Sequence, residues 1–164
     1  MKLVVFDVDG TLVDSRAILK QASDAAFHTV GLTPPPYDAL RQIVGLNLAE
    51  GLAQLAPEQP PEVFDQLVSC YKSSFGDLHR QPGFTEPLYA GAAELLDRLK
   101  GEGWRIAMAT GKSRRGVEMI MAMHAWADLF DSTHCGDDGP GKPHPAMLLD
   151  AMRALDAEPA CTVM

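Results

Sequence analysis

The chain has 164 residues, with 14 Lys and Arg against 22 Asp and Glu, a formal charge of −8 at pH 7. That balance argues against a nucleic-acid partner, which needs a basic face to meet the phosphate backbone. With 46% hydrophobic and 22% charged residues there is enough apolar material for a core, and the length fits about one domain of roughly 100 to 200 residues.

The first element is Leu3-Val4-Val5-Phe6, an apolar run without alternation. Such a run predicts a strand buried on both faces of a parallel sheet. It ends in a cluster of small and acidic residues. From Ser15 the pattern becomes helical: Ile18, Ala22, Ala25, Ala26 and Val30 recur at helical spacing, Gly31 stops the helix, and Pro34-Pro35-Pro36 follows. Further helices are predicted from about Asp38 to Val44, from Asn47 to Leu55 and from Pro61 to His79. No strand candidate of comparable strength interrupts them, so residues 15–82 are expected to form an all-helical insertion.

After Pro82-Gly83 and Pro87, helices and short apolar strands alternate, as in βα units around a parallel sheet. Ala90 to Lys100 reads as a helix ended by Gly101 and Gly103, and Arg105 to Ala109 as a strand. Ser113 caps a helix to about His124, Ser132 to Cys135 is a strand candidate, and Pro145 to Leu155 is a helix with Pro in its first turn. Cys161 to Met164 begins one more buried strand.

The most apolar stretches, Leu3–Phe6, Ile106–Ala109 and Met119–Ala127, fall far short of the roughly 18 residues of a membrane span. Asp7 and Asp9 interrupt the N-terminal run where an export signal would continue it. Cys70, Cys135 and Cys161 are odd in number and lack a CxxC pair, which suits a reducing compartment. The expectation is a cytoplasmic protein with no membrane partner.

Three segments carry chemistry. In Asp7-Val8-Asp9-Gly10-Thr11, two carboxylates separated by one residue on an extended chain point to one side, and Gly10 permits a tight turn. Their mutual repulsion is relieved if a divalent cation joins them or if one is kept protonated, and a hard oxygen-seeking ion such as Mg²⁺ fits. The bland alternative is an acidic turn closing a strand. In Ala109-Thr110-Gly111-Lys112-Ser113, the Thr110 hydroxyl, the Gly111 amide and a helix N-terminus make a cradle for phosphate oxygens. The same letters describe an ordinary strand-to-helix turn with a Ser cap. Lys112, Arg114 and Arg115 there read as a solvated first helical turn. In Gly141-Lys142-Pro143-His144-Pro145, Lys142 is constrained in direction and can neutralise a carboxylate and a phosphoryl group, or be a surface lysine in a loop.

Taken in order, these segments resemble the haloacid-dehalogenase superfamily of phosphohydrolases, specifically its phosphoglycolate-phosphatase-like branch. Asp7 to Ser15 matches the first motif closely, Thr110 the second, and Lys142-Pro143 the third. The resemblance implies an α/β fold, a Rossmann-like parallel sheet with an inserted helical cap, divided into a core of 1–14 and 83–164 and a cap of 15–82. It implies that Asp7 attacks phosphorus and binds Mg²⁺ through its side chain, and that Asp9 protonates the leaving oxygen, activates water and gives the metal its backbone carbonyl. Thr110 and Gly111 would hold phosphate oxygens beside Gly10 and Thr11, and Lys142 would offset charge at the nucleophile. Asp9 selects phosphate esters, because dehalogenases and phosphonatases of the superfamily depart from aspartate there. The partner expected is a small phosphorylated metabolite, phosphoglycolate-like or a sugar phosphate.

Substrate choice would fall to the cap, where Gly45 and Asn47 can present a loop to the site and Arg41 can meet a second anionic group or remain a solvated helix residue. His28, His79 and His124 read as packed or exposed helix residues, and His134, Cys135 and His144 lack the closed spacing of a soft-metal site. Asp137 and Asp138 either orient Lys142 or form a turn. The family's fourth motif, an acidic Gly-Asp segment that supplies another metal ligand, would follow the Cys161–Met164 strand, so the core is expected to be incomplete at its C-terminal side. Two alternatives to a phosphatase are a non-catalytic fragment and a mutase of the β-phosphoglucomutase type, against which Thr11 leans. A receiver-like phosphoacceptor domain is disfavoured by the acidic pair lying on one strand and by the helical insertion.

Overall fold

The computed structural model describes residues 2–164. In chain order the elements are β1 (Leu3–Phe6), α1 (Arg16–Thr29), α2 (Tyr37–Ile43), α3 (Leu48–Leu55), α4 (Pro61–His79), α5 (Ala92–Gly101), β2 (Arg105–Ala109), α6 (Arg114–Met123), β3 (Ser132–His134), α7 (Ala146–Ala154), a single 3₁₀ turn (Pro159–Cys161) and β4 (Thr162–Val163). The strands form one sheet in the order β3-β2-β1-β4, every pair parallel. This is the α/β arrangement expected, with α1 to α4 inserted after β1 and α5 leading back into β2.

Apolar strands without alternation are what a sheet covered on both faces requires. On one face Val4, Ile106 and Met108 pack with Leu96 of α5, Val117 and Ile120 of α6, and Trp126 and Phe130 beyond it. On the other, Leu3, Val5, Ala107 and Ala109 pack with Met147 and Ala151 of α7. A third cluster, with Ala26 and Phe27 of α1, Leu52 of α3 and Leu67 of α4, lies wholly within the inserted helices. At the N-terminal end of β2, Asp131 accepts from the Ile106 amide at 2.8 Å and pairs with Arg105 at 2.6 Å, closing the turn into β3.

The insertion leaves and re-enters through two antiparallel legs. The Asp14 amide donates to the Pro87 carbonyl at 2.8 Å and the Tyr89 amide to the Leu12 carbonyl at 2.9 Å, with Val13 bridged to Leu88. The first leg begins in a tight turn: Gly10 has φ +78° and donates to Val13, while Leu12 and Val13 both donate to Val8. Ser113 caps α6 as expected, its Oγ accepting from Gly116, and Asn47 also caps α3, its Oδ1 accepting from Ala49.

Most predicted spans agree within two residues. The last strand is present but short and not buried as expected: Pro159, with its φ already near a helical value, begins a 3₁₀ turn that takes Cys161, so β4 keeps Thr162 and Val163 beside Leu3 and Val4 of β1. Val163 and Met164 are 56% and 57% exposed. Among the described residues, no helix is long and apolar enough to cross a membrane.

Candidate active site

The C-terminal ends of β1 and β2 carry the acidic pair and the Thr110 turn, the end of an open α/β sheet where ligands bind. Asp7 follows β1 directly; its Oδ1 accepts from the Val8 amide at 2.8 Å, and its Oδ2 lies 3.0 Å from Lys142 Nζ. Asp9, two residues on, has Oδ1 2.9 Å from Lys112 Nζ. Asp9 Oδ1 is buried, and the Lys112 ammonium is its charge partner. The structure therefore brings Asp7, Asp9 and Lys142 together as the sequence suggested, and adds a second lysine.

Lys112 corrects the expectation of a solvated first helical turn. Only 8% exposed, it is tied to Asp9 and, at 3.5 Å, to Glu86 Oε2, and it stands over the Phe75 ring with its nitrogen 5.2 Å from the centroid. Burial opposes its charge, but Asp9 and Glu86 outweigh burial and raise its pKa above the ordinary lysine value. Glu86, which the sequence did not single out, is 1% exposed on the second leg of the insertion. Its Oε1 lies 2.8 Å from His79 Nε2 at the end of α4, and its backbone carbonyl is 2.9 Å from His124 Nε2. Burial pushes the Glu86 carboxyl up, yet His79 and Lys112 together hold it below the ordinary glutamate value. The signal available in the sequence was a lone carboxylate in Phe84-Thr85-Glu86-Pro87, between an aromatic and a proline.

Thr110 is fully buried, and its Oγ1 accepts from the Lys112 amide at 3.2 Å, which turns the chain from β2 toward α6. Gly111 sits where no side chain fits: a Cβ there would stand 2.6 Å from the Leu46 carbonyl oxygen and 2.7 Å from that of Gly45. Gly45, with φ +91°, lies over Asp7, a Cβ on it falling 3.5 Å from Asp7 Oδ2. The loop between α2 and α3 thus closes directly on the ends of β1 and β2. Asn47 holds it there, its Nδ2 donating to the Gly136 carbonyl at 3.2 Å while its Oδ1 caps α3.

Other candidates are placed differently. Arg41 is exposed on α2 and does not line the cleft beside Asp9. Gly10 and Thr11 form the turn after Asp9 and are partly or fully exposed. Asp137 and Asp138 do not orient Lys142: Asp137 accepts from the Arg114 amide at 2.7 Å, and Asp138 takes the Arg114 side chain at 2.5 Å and the Cys135 amide at 2.8 Å. Beside Asp9 a cleft of about 440 Å³ opens between the inserted helices and the sheet.

The donor chemistry near the pair fits a hard cation. Asp7 and Asp9 offer only oxygen, and Mg²⁺ is commonly held by one or two carboxylates with water and phosphate oxygens completing its shell. Among the described residues, no group of three or more His, Cys, Asp or Glu side chains forms a metal cluster.

Comparison with known proteins agrees with this arrangement. A family model described as haloacid dehalogenase-like hydrolase matches residues 4–164. The chain is 31% identical over 169 residues to a phosphoglycolate phosphatase of Psychrobacter arcticus and 33% identical over 170 residues to one of Vibrio vulnificus, covering 99% and 100% of this chain and 74% of each relative. A probable phosphatase, IndB, of Dickeya dadantii is 33% identical over 166 residues, 99% of this chain and 71% of that protein. A haloacid dehalogenase-like hydrolase structure from Bacteroides fragilis superposes with a TM-score of 0.87 at 24% identity, over 98% of this chain and 76% of that one.

Proposed function

Because the chain belongs to the haloacid dehalogenase-like hydrolase family, we propose that it is a Mg²⁺-dependent phosphatase that hydrolyses a small phosphate monoester through an aspartyl-phosphate. The observation that carries this reading is the pair of carboxylates at the end of β1, each held by its own lysine at 3.0 and 2.9 Å under the Gly45 loop.

In this mechanism a carboxylate oxygen of Asp7 attacks phosphorus, the bond from phosphorus to the ester oxygen breaks, and Asp9 gives that oxygen its proton. Water then attacks the phosphorus of the aspartyl-phosphate, Asp9 takes the water proton, and phosphate leaves with Asp7 regenerated. Lys142 offsets charge at Asp7, while the Thr110 hydroxyl and the Gly111 amide, with the turn of Gly10 and Thr11, hold phosphoryl oxygens. Mg²⁺, held by the Asp7 side chain and the Asp9 carbonyl, would neutralise the charge that gathers on those oxygens. Residues 15–82 then act as a cap over a core of 1–14 and 83–164, with Gly45 and Asn47 in the loop that shuts the site. Three unpaired cysteines support a reducing, cytoplasmic setting.

p-Nitrophenyl phosphate with Mg²⁺ tests the reading. Hydrolysis should vanish with a chelator and return with Mg²⁺, and Asp7→Asn should lower it at least about 10³-fold with an unchanged circular dichroism spectrum. Undiminished turnover by that variant overturns the assignment of the nucleophile. A second reading, that these 164 residues bind phosphate or metal without turnover, is supported by the absence, among the described residues, of any group of three or more His, Cys, Asp or Glu side chains placed to hold a metal ion. Phosphate binding by calorimetry with no hydrolysis of any ester would favour it.

A further inference from the structure

The cleft beside Asp9 has a chemistry of its own. Its volume, about 440 Å³, lies in the range of about 300 to 1,000 Å³ that holds drug-sized ligands, far more than a two-carbon acid fills. Asp9 and Gly111 stand at one wall. Leu40 and Ile43 from α2, Tyr71 and Phe75 from α4 and Met119 from α6 give much of the rest an apolar lining, interrupted by Asn47, Ser113 and Asp137.

The charged groups point the same way. Of the cations on the cleft, Lys112 is committed to Asp9 and Glu86. Lys72 and Arg115 are exposed; a Cβ placed on Gly76 of α4 would lie 4.0 Å from the Arg115 guanidinium. They draw an anion toward the opening and leave the apolar walls without a buried, unpaired cation for a carboxylate next to the phosphate. A short acid held at the Asp9 and Gly111 wall would leave the apolar part of the cleft unfilled, whereas a ring or branched body would bury apolar area there at about 25 cal/mol per Å².

We infer that the cleft selects a phosphate monoester whose alcohol carries an apolar, ring-sized body, in preference to the two-carbon ester phosphoglycolate. The inference rests on the phosphatase reading only for the position of the phosphate, beside Asp9 and Gly111. It sets this chain apart in substrate from the relatives whose names specify phosphoglycolate.

Two non-hydrolysable phosphonates and two esters test it. 2-Phenylethylphosphonate has the shape of benzyl phosphate, and 3-phosphonopropanoate that of phosphoglycolate. In the presence of Mg²⁺, calorimetry on the full chain should give a Kd at least tenfold lower for the phenyl compound, and kcat/KM should favour benzyl phosphate over phosphoglycolate by at least tenfold. Met119→Trp, which fills the cleft from α6, should cut the phenyl preference to within threefold. Equal or tighter binding of 3-phosphonopropanoate, or no binding of either phosphonate, overturns the inference. Tight phenyl binding with every ester left intact overturns the hydrolase reading while the cleft assignment stands. Turnover of phosphoglycolate in preference to benzyl phosphate does the reverse.

Discussion

Two lysines hold two carboxylates at nearly equal distances, Lys142 on Asp7 at 3.0 Å and Lys112 on Asp9 at 2.9 Å, and their surroundings differ in every other respect. The Lys142 and Asp7 side chains are 21% and 23% exposed, on a Gly/Pro loop that solvent reaches from one side. The Lys112 side chain is 5% exposed and braced by Glu86, which is itself braced by His79, with Phe75 beneath. Distance alone therefore says little about what a pair does. An open pair can part when a phosphoryl group arrives; a buried one with every partner engaged sets the position of its members before any ligand binds.

The contrast can be broken first at Lys112. Lys112→Ala should lower unfolding stability by about 3 kcal/mol, the scale for leaving a buried charge without its partner, measured by urea denaturation. The double variant Lys112→Met with Glu86→Gln should recover only part of that loss, because Glu86 is neutralised while Asp9 is still left without its lysine. A cost below about 1 kcal/mol for Lys112→Ala would make the two pairs alike. Lys142→Ala is the matching probe: its stability cost should stay under about 1 kcal/mol, as for partly exposed pairs, while p-nitrophenyl phosphate turnover falls at least tenfold.

The smallest expected effect is in acid. Glu86 is held below its ordinary value of 4.5 by His79 and Lys112 acting against burial. A depressed carboxylate contributes its stability above the unfolded-state value and loses it as pH falls toward the folded one. Below about pH 4.5 the wild-type stability should thus decline more steeply than that of Glu86→Gln, read from urea midpoints at successive pH values. Parallel slopes would show that the Glu86 carboxylate gains nothing from its partners.

The same contrast marks how far the sequence could be read. Asp7, Asp9 and Lys142 were legible because local chemistry announces them: an acidic pair after an apolar run, a lysine fixed between Gly141 and Pro143. The α4 helix was legible end to end from its spacing and from the prolines before it. Lys112 was not, since Gly-Lys-Ser-Arg-Arg at a helix start has the composition of a solvated turn, and what buries it, Glu86 and Phe75, comes from the inserted helices and their return leg. Asn47 was expected at the site for its loop position. Its two hydrogen bonds show it fastening the loop, a role set by Gly136, far away in the chain. The place of β4 was legible to within a residue at each end, but its apolar letters suggested burial, whereas Val163 and Met164 are exposed.

The register of the sheet also bears on how the molecule assembles. Leu3 stands beside Arg105 on one side and Thr162 on the other, so β1 finds each of its neighbours only after a hundred or more residues of intervening chain. Contacts so distant in sequence slow folding, because the chain must close a long loop before the pairing repays it. The helices between β1 and β2 have their own buried cluster and can organise from nearer contacts, and once they do, the legs at Leu12 to Asp14 and Pro87 to Tyr89 bring the loop's ends together. The strand made first is the strand completed last, and the inserted helices shorten its wait.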